Sequence, residues 1–206
     1  MLQAVSLTCR RGQRRVFSEL SLRLEAGQCC LVSGPNGSGK TSLLRILANI
    51  AQADEGQLIW RDRAVQSNDS DYRRQLVYGG HAPGLNGSLS VQENLDSLLM
   101  QDRVPLEREA CDQALLAGGL LAYCRVPVRQ LSAGQRRRVF LVRLSLSNRP
   151  LWILDEQLTA LDSAGQKFLG ELIAQHLHKQ GAVILTSHQT LPWDLEVQHL
   201  DLGQAC

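Results

Sequence analysis

The chain has 206 residues, of which 44% are apolar and 20% charged, a usage that suits a folded core and argues against disorder. Its 22 basic residues nearly balance 20 acidic ones, and the formal charge of +2 gives no overall electrostatic case for nucleic acid as a partner. Six cysteines, at positions 9, 29, 30, 111, 124 and 206, include no C-x-x-C pair, which predicts reduced cytosolic thiols rather than a disulfide framework or a zinc site.

The first residues enter a strand-like alternation with no signal-peptide pattern before them. Residues 2–7 and 20–24 alternate as strands, joined by a basic, hairpin-like stretch at 10–15. Residues 28–33 read as a buried strand that runs into a glycine-rich turn. Beyond it Leu43, Leu44, Leu47 and Ile50 fall on one helical face. Short strands are predicted at 58–60 and 76–78, followed by a stretch rich in glycine, with Pro83, over 79–87. Ser90 and Glu93 form a capping-box pattern that predicts a helix from 91 to about 100. Further helices are expected at 107–117 and from about 133 to just before Pro150. A strand at 151–154, a helix at about 163–179 and a strand at 182–186 complete the pattern.

Strands alternating with helices predict an α/β fold built on a mainly parallel sheet, with an antiparallel β region at the N-terminus. The helical block at about 83–148 interrupts this alternation and is expected to be an inserted subdomain of a single domain spanning 1–206. The longest apolar run, 115–124, is roughly half of what a bilayer requires. The chain is therefore expected to work in the cytosol or on the cytosolic face of a membrane partner.

Residues Gly34, Pro35, Asn36, Gly37, Ser38, Gly39, Lys40 and Thr41 fit the pattern G-x-x-x-x-G-K-[ST]. They stand where that pattern has physical meaning, between a buried strand and an amphipathic helix. Glycines let successive backbone N–H groups turn inward around phosphate oxygens, and the helix start adds its positive end. Lys40 brings a point charge to the β- and γ-phosphates, and Thr41 offers a hydroxyl to Mg²⁺. Ser42, beside it, joins the ATP-binding set.

The apolar run ending in Asp155 and Glu156 delivers two acids to the carboxyl edge of a sheet. Asp155 is expected to hold Mg²⁺ through water, and Glu156 to polarise the water that attacks the γ-phosphate. Asp162 precedes the helix at 163 and serves as its N-cap whether or not it has a further role.

Residues 131–135, Leu-Ser-Ala-Gly-Gln, resemble the signature motif of the ABC ATPase family and lie about twenty residues before the Asp155–Glu156 pair, as in that family. Ser132 and Gly134 stand at a helix start, where free N–H groups favour an anion. The resemblance covers nearly the whole chain. It implies the P-loop NTPase core of ABC ATPases, with ATP and Mg²⁺ as cofactors and ATP hydrolysis coupled to transport. It also implies a homodimer in which Ser132, Gly134 and Gln135 face the ATP of the other copy, with Asp162 at the interface. His188 corresponds to the switch histidine that contacts the γ-phosphate, which with Glu156 and Lys40 makes the catalytic set.

Within the family, the chain resembles the haem-exporter ATPases of bacterial cytochrome c maturation. His81 stands where most ABC ATPases have the glutamine of the Q-loop, and the residues around it, 82–84, the form of the signature, residues 186–189 and the small size also fit. This implies an integral membrane subunit as partner, an indirect link to haem and a periplasmic haem chaperone, and a peripheral place on the cytoplasmic face of the bacterial inner membrane. Export of another substrate, or a soluble non-transport role, are the alternatives.

Three departures stand out. Gln157 takes the place of the family's proline after the two acids, which is expected to loosen the segment that follows. Arg11 stands where the family has an aromatic residue to stack on adenine, with Phe17 the nearest substitute. The run Arg136, Arg137 and Arg138 points in three directions on a helix, so it is read as a solvated or interface face, not a nucleic-acid patch.

Overall fold

The computed structural model describes residues 1–80, 82, 84–188 and 190–203. Its contacts divide the chain into two units. The first comprises Met1–Tyr78, Arg149–Glu156 and His176–Cys206; the second comprises Gly79–Asn148 and Gln157–Gln175.

In the first unit, β1 (Leu2–Arg11) and β2 (Arg14–Leu24) form a long antiparallel hairpin. The basic stretch is thus the end of two strands. The turn is only Gly12 and Gln13, with Gly12 at φ +59, the left-handed conformation that a two-residue hairpin turn demands. β3 (Cys29–Ser33) precedes the glycine-rich loop and α1 (Lys40–Leu47) follows it. Helix α1 stops before Ile50, which is 47% exposed; Ile46 fills the buried face in its place.

β4 (Glu55–Trp60) pairs antiparallel with β1, and β5 (Arg63–Ala64) with β4, giving the sheet order β2-β1-β4-β5. The short helix α2 (Ser70–Arg73) is capped by Asp69, whose carboxylate accepts from the N–H groups of Asp71 and Tyr72. Sequence periodicity missed both β5 and α2, which are too short to carry a repeat. β6 (Leu76–Gly79) ends the first pass through this unit.

Three α-helices lie wholly in the second unit: α3 (Val91–Asp102), α4 (Arg108–Ala117) and α5 (Ala133–Leu146). Ser90 and Glu93 make the expected reciprocal capping box on α3. Val91, Leu95, Leu99, Leu115, Val139 and Val142 pack into this unit's own core.

The chain then supplies β7 (Leu151–Leu154), α6 (Ser163–His178), β8 (Ala182–Thr186) and β9 (Val197–Asp201). The second sheet has the order β6-β7-β8-β3-β9, with β7, β8, β3 and β9 parallel. Every residue of β7 and β8 is buried, so these strands read as continuous apolar runs. At about 1.5–3 kcal/mol for each large aliphatic side chain buried, the two strands are a major source of stability. β9 corrects the expectation that 182–186 is the last strand of the core. It pairs with β3 at the sheet edge, and its half-exposed pattern carries little apolar signal.

Cys9, Cys29, Cys30, Cys111 and Cys124 are free thiols. Burial pushes Cys29 and Cys30, inside β3, up to about 12, which keeps them protonated and inert.

Candidate functional site

Three adjacent strands of the parallel sheet, β7, β8 and β3, end on one edge, and each releases a motif there. The glycine-rich loop follows β3. Gly34 and Gly39 adopt φ +138 and +100, and a Cβ on Gly39 would sit 2.3 Å from Val16 Cγ1, so only glycine fits that turn. Gly37, at φ +83, would meet nothing within 4 Å and is required by conformation alone.

Lys40 is 7% exposed, and its Nζ donates to the carbonyls of Gly34 at 2.8 Å and Pro35 at 3.1 Å. The Pro35 carbonyl also accepts from the Ser38 N–H. Gly39 caps α1 without a side chain, so the first N–H groups of the helix keep no internal acceptor. The Ser38 hydroxyl oxygen is buried with no hydrogen-bond partner among the described residues. A row of unsatisfied donors beside a buried ammonium suits an anion rich in oxygen, such as a polyphosphate.

Arg11, Arg14, Asn36, Lys40, Thr41 and Glu156 are among the residues lining a cleft of about 400 Å³ here. Ser42 is buried beneath it and accepts a hydrogen bond from Arg11 Nη2 at 2.8 Å. Phe17 is fully buried under Gly39, so it is no substitute for a stacking aromatic; Arg11 and Arg14 bring guanidinium planes to this cleft.

Asp155 follows β7 and is 2% exposed. Its Oδ1 accepts from the Thr186 hydroxyl at 2.7 Å, and the same hydroxyl oxygen accepts from the Glu156 backbone N–H at 2.9 Å. Glu156 has φ +52, an uncommon left-handed conformation for a residue with a side chain. That turn presents its carboxylate to His188, whose Nε2 lies 2.9 Å from Glu156 Oε1. Asp155, Glu156, Thr186 and His188 thus form one connected polar group. Sequence reasoning named only three of them, since Thr186 reads as an ordinary β-branched strand residue.

In the second unit, Ser132 caps α5. Its Oγ accepts from the Gln135 N–H at 3.1 Å, and Gln135 Oε1 accepts from the Ser132 N–H at 2.9 Å. A Cβ on Gly134 would lie 2.9 Å from the Ala160 carbonyl oxygen, a close approach that requires glycine. Ser132, Gly134, Gln135, Arg138 and Asp162 help to line a cavity of about 510 Å³. Asp162 caps α6 through the Gly165 N–H at 2.9 Å and also pairs with Arg138. Arg138 beside it holds the Asp162 carboxyl below the usual carboxylate range.

Two expectations are corrected. Arg137 is 6% exposed, and Arg138 is engaged with Asp162 and the Gly118 carbonyl, which removes the solvated half of the reading of the arginine run and leaves the interface half. Gln157 is 3% exposed, with both ends of its amide hydrogen bonded, so this residue is itself held in place. His81, with Pro83 and Gln189, lies outside the described residues.

A nucleotide cradle, an acid pair at a strand end and a serine-capped signature helix define an ATP-hydrolysing cassette. The ABC transporter family profile matches residues 17–159, and the chain belongs to that family. A dimeric structure of a bacterial ABC transporter cassette shares the fold with a TM-score of 0.83 at 22% identity, over 98% of this chain and 95% of that one.

By sequence, the chain is 49% identical to the cytochrome c biogenesis ATP-binding export protein CcmA of Yersinia pestis, over 93% of this chain and 87% of that protein. It is 45% identical to the protein of the same description from Pseudomonas aeruginosa, over 93% of this chain and 94% of the relative.

Proposed function

We propose that the chain powers a membrane exporter of the cytochrome c maturation type, binding ATP with Mg²⁺ and hydrolysing it through Glu156. The observation that carries this reading is the pairing of Glu156 with His188 at the edge where the Lys40 cradle also opens. Gly34, Pro35, Asn36, Gly37, Ser38 and Gly39 wrap the phosphates with backbone N–H groups, Lys40 neutralises the β- and γ-phosphates, and Ser42 keeps Arg11 in place. Thr41 and Asp155 are hard oxygen donors of the kind Mg²⁺ selects; the ion supplies charge neutralisation on the transferring phosphoryl group. Glu156 takes the proton of the attacking water, and His188 orients that carboxylate and reaches the γ-phosphate. His81 joins this set as a nucleotide contact.

Two copies pair head to tail in a closed two-fold dimer. Ser132, Gly134 and Gln135 of one copy cover the ATP held by the other, with Asp162 at the interface. The cavity around Ser132 is lined by no lysine among the described residues, which supports this division. So does the dimeric assembly of the solved cassette with the same fold.

The chain works as one domain, with the helical segment at about 83–148 passing motion to an integral membrane subunit. The chain's place is peripheral, on the cytoplasmic face of the inner membrane; among the described residues no helix is long and apolar enough to cross a membrane. The relatives' description as export proteins of cytochrome c biogenesis supports the type of complex. The motif resemblance to haem-exporter ATPases supplies haem and a periplasmic haem chaperone as its indirect output.

ATP binding and phosphate release by Glu156→Gln test the hydrolytic reading. ATP should bind normally while turnover falls by about 10²–10⁴-fold. Near wild-type turnover would remove Glu156 from this role.

A further inference from the structure

Gln157 is a buried amide at the point where the chain passes from the first unit into the second, directly after Glu156. Its Nε2 donates to the carbonyls of Gly79 at 2.9 Å and Gly80 at 3.0 Å. Its Oε1 accepts from Arg137 Nη1 at 3.2 Å, and the same nitrogen lies 3.3 Å from the Gly80 carbonyl oxygen. Arg137 belongs to α5, the helix capped by Ser132. One turn further along α5, the Phe140 ring sits where a Cβ on Gly79 would come within 2.5 Å. The chain first enters the second unit at Gly79 and enters it again at Gln157. These two entry points are therefore tied to each other and to α5 by one side chain.

Glu156, immediately before, has a left-handed backbone. Such a conformation persists only where its surroundings over-determine it. Thr186 secures its N–H on one side, and the Gln157 amide secures the chain on the other. A proline here, as in the resembling family, has no amide and cannot make this tie.

We propose that Gln157 is a positioning residue for hydrolysis, locking the peptide after Glu156 to α5 and to residues 79–80. Arg137 is its partner in this role. The proposal rests on the reading of Glu156 as the base. A side chain with all polar ends paired inside a buried network is rigid, so Gln157, the residue directly after Glu156 in the chain, is held fixed against α5. Release of the tie lets the carboxylate depart from the attacking water, and a displacement of about 1 Å costs on the order of a hundred-fold in rate.

The test uses the full chain with three variants: Gln157→Leu, Gln157→Glu, and the double variant Gln157→Leu with Arg137→Met. Measured are kcat and KM for ATP, equilibrium ATP binding and melting temperature. Gln157→Leu and Gln157→Glu should lower kcat by about ten- to hundred-fold, with KM and ATP affinity within about two-fold of wild type. The double variant leaves no buried guanidinium facing an apolar residue, so its melting temperature should return toward wild type while kcat stays low. Wild-type kcat in either single variant overturns the proposal. So does recovery of kcat along with stability in the double variant, which would mark a merely structural role. Should the single leucine variant not fold, the double variant decides by its kcat alone. Glu156→Gln, assayed alongside, separates the two readings. Turnover in that variant sinks the base assignment, whereas its inactivity beside a fully active Gln157→Leu sinks only this inference.

Discussion

The Thr186 hydroxyl donates to Asp155 Oδ1 at 2.7 Å, joining the ends of two neighbouring parallel strands, β7 and β8. Because its oxygen also accepts from the Glu156 N–H, one small side chain sets both acids.

Replacing that hydroxyl by a methyl group is close to isosteric but removes the hydrogen bond from Thr186 to the buried Asp155 Oδ1. Thr186→Val is expected to lose about 1–3 kcal/mol of stability in denaturant unfolding and to lower kcat at least about ten-fold. Thr186→Ser, which keeps the hydroxyl, should retain most of both.

Lys40 carries the charge of the phosphate cradle at the start of α1. Lys40→Ala should weaken ATP binding by about ten- to hundred-fold, the worth of charge-assisted hydrogen bonds, in equilibrium titration. Thermal stability measured without nucleotide should change far less, since among the described residues the ammonium bonds to two loop carbonyls.

Gly39→Ala forces a Cβ to within 2.3 Å of Val16 Cγ1 at a residue with φ +100. The combined clash and backbone strain should cost about 2–4 kcal/mol, read as a lower melting temperature together with loss of ATP binding. Gly37→Ala, which meets only the backbone penalty, should cost less.

His176 stacks on Trp152, with ring centroids 3.8 Å apart, and burial pushes its pKa down from 6.5 to about 4. Its folded value lies below its unfolded value, so the stability it contributes is complete above about pH 6.5. That stability is lost as pH falls through 4. A shift of this size corresponds to roughly 3 kcal/mol. Urea unfolding from pH 7 to 4 should show this decline, and His176→Phe should flatten it by keeping a stacked ring without a proton site.

The P-loop, the two acids and the signature were legible because each is a short run of unusual residues at a predictable junction of strand and helix. The capping boxes at Ser90 and Ser132 were legible for the same reason, since both partners lie three residues apart. What was hidden depends on distance along the chain. Thr186 lies 31 residues from Asp155, Gln157 is 78 from Gly79, and no local pattern links either pair. Arg137 was misjudged because charge argues for solvent unless a buried acceptor is known. β9 was missed because an edge strand exposed on one side carries little apolar signal.

The central claim is that ATP bound by Lys40 and the loop amides of one copy is sealed by the Ser132 end of α5 from another. Light scattering of Glu156→Gln with saturating ATP measures this directly. The mass should double from the 22.8 kDa monomer, and Ser132→Arg introduced into the same variant should restore the monomer without abolishing ATP binding. A protein that binds ATP fully yet stays monomeric at every concentration tested would contradict it.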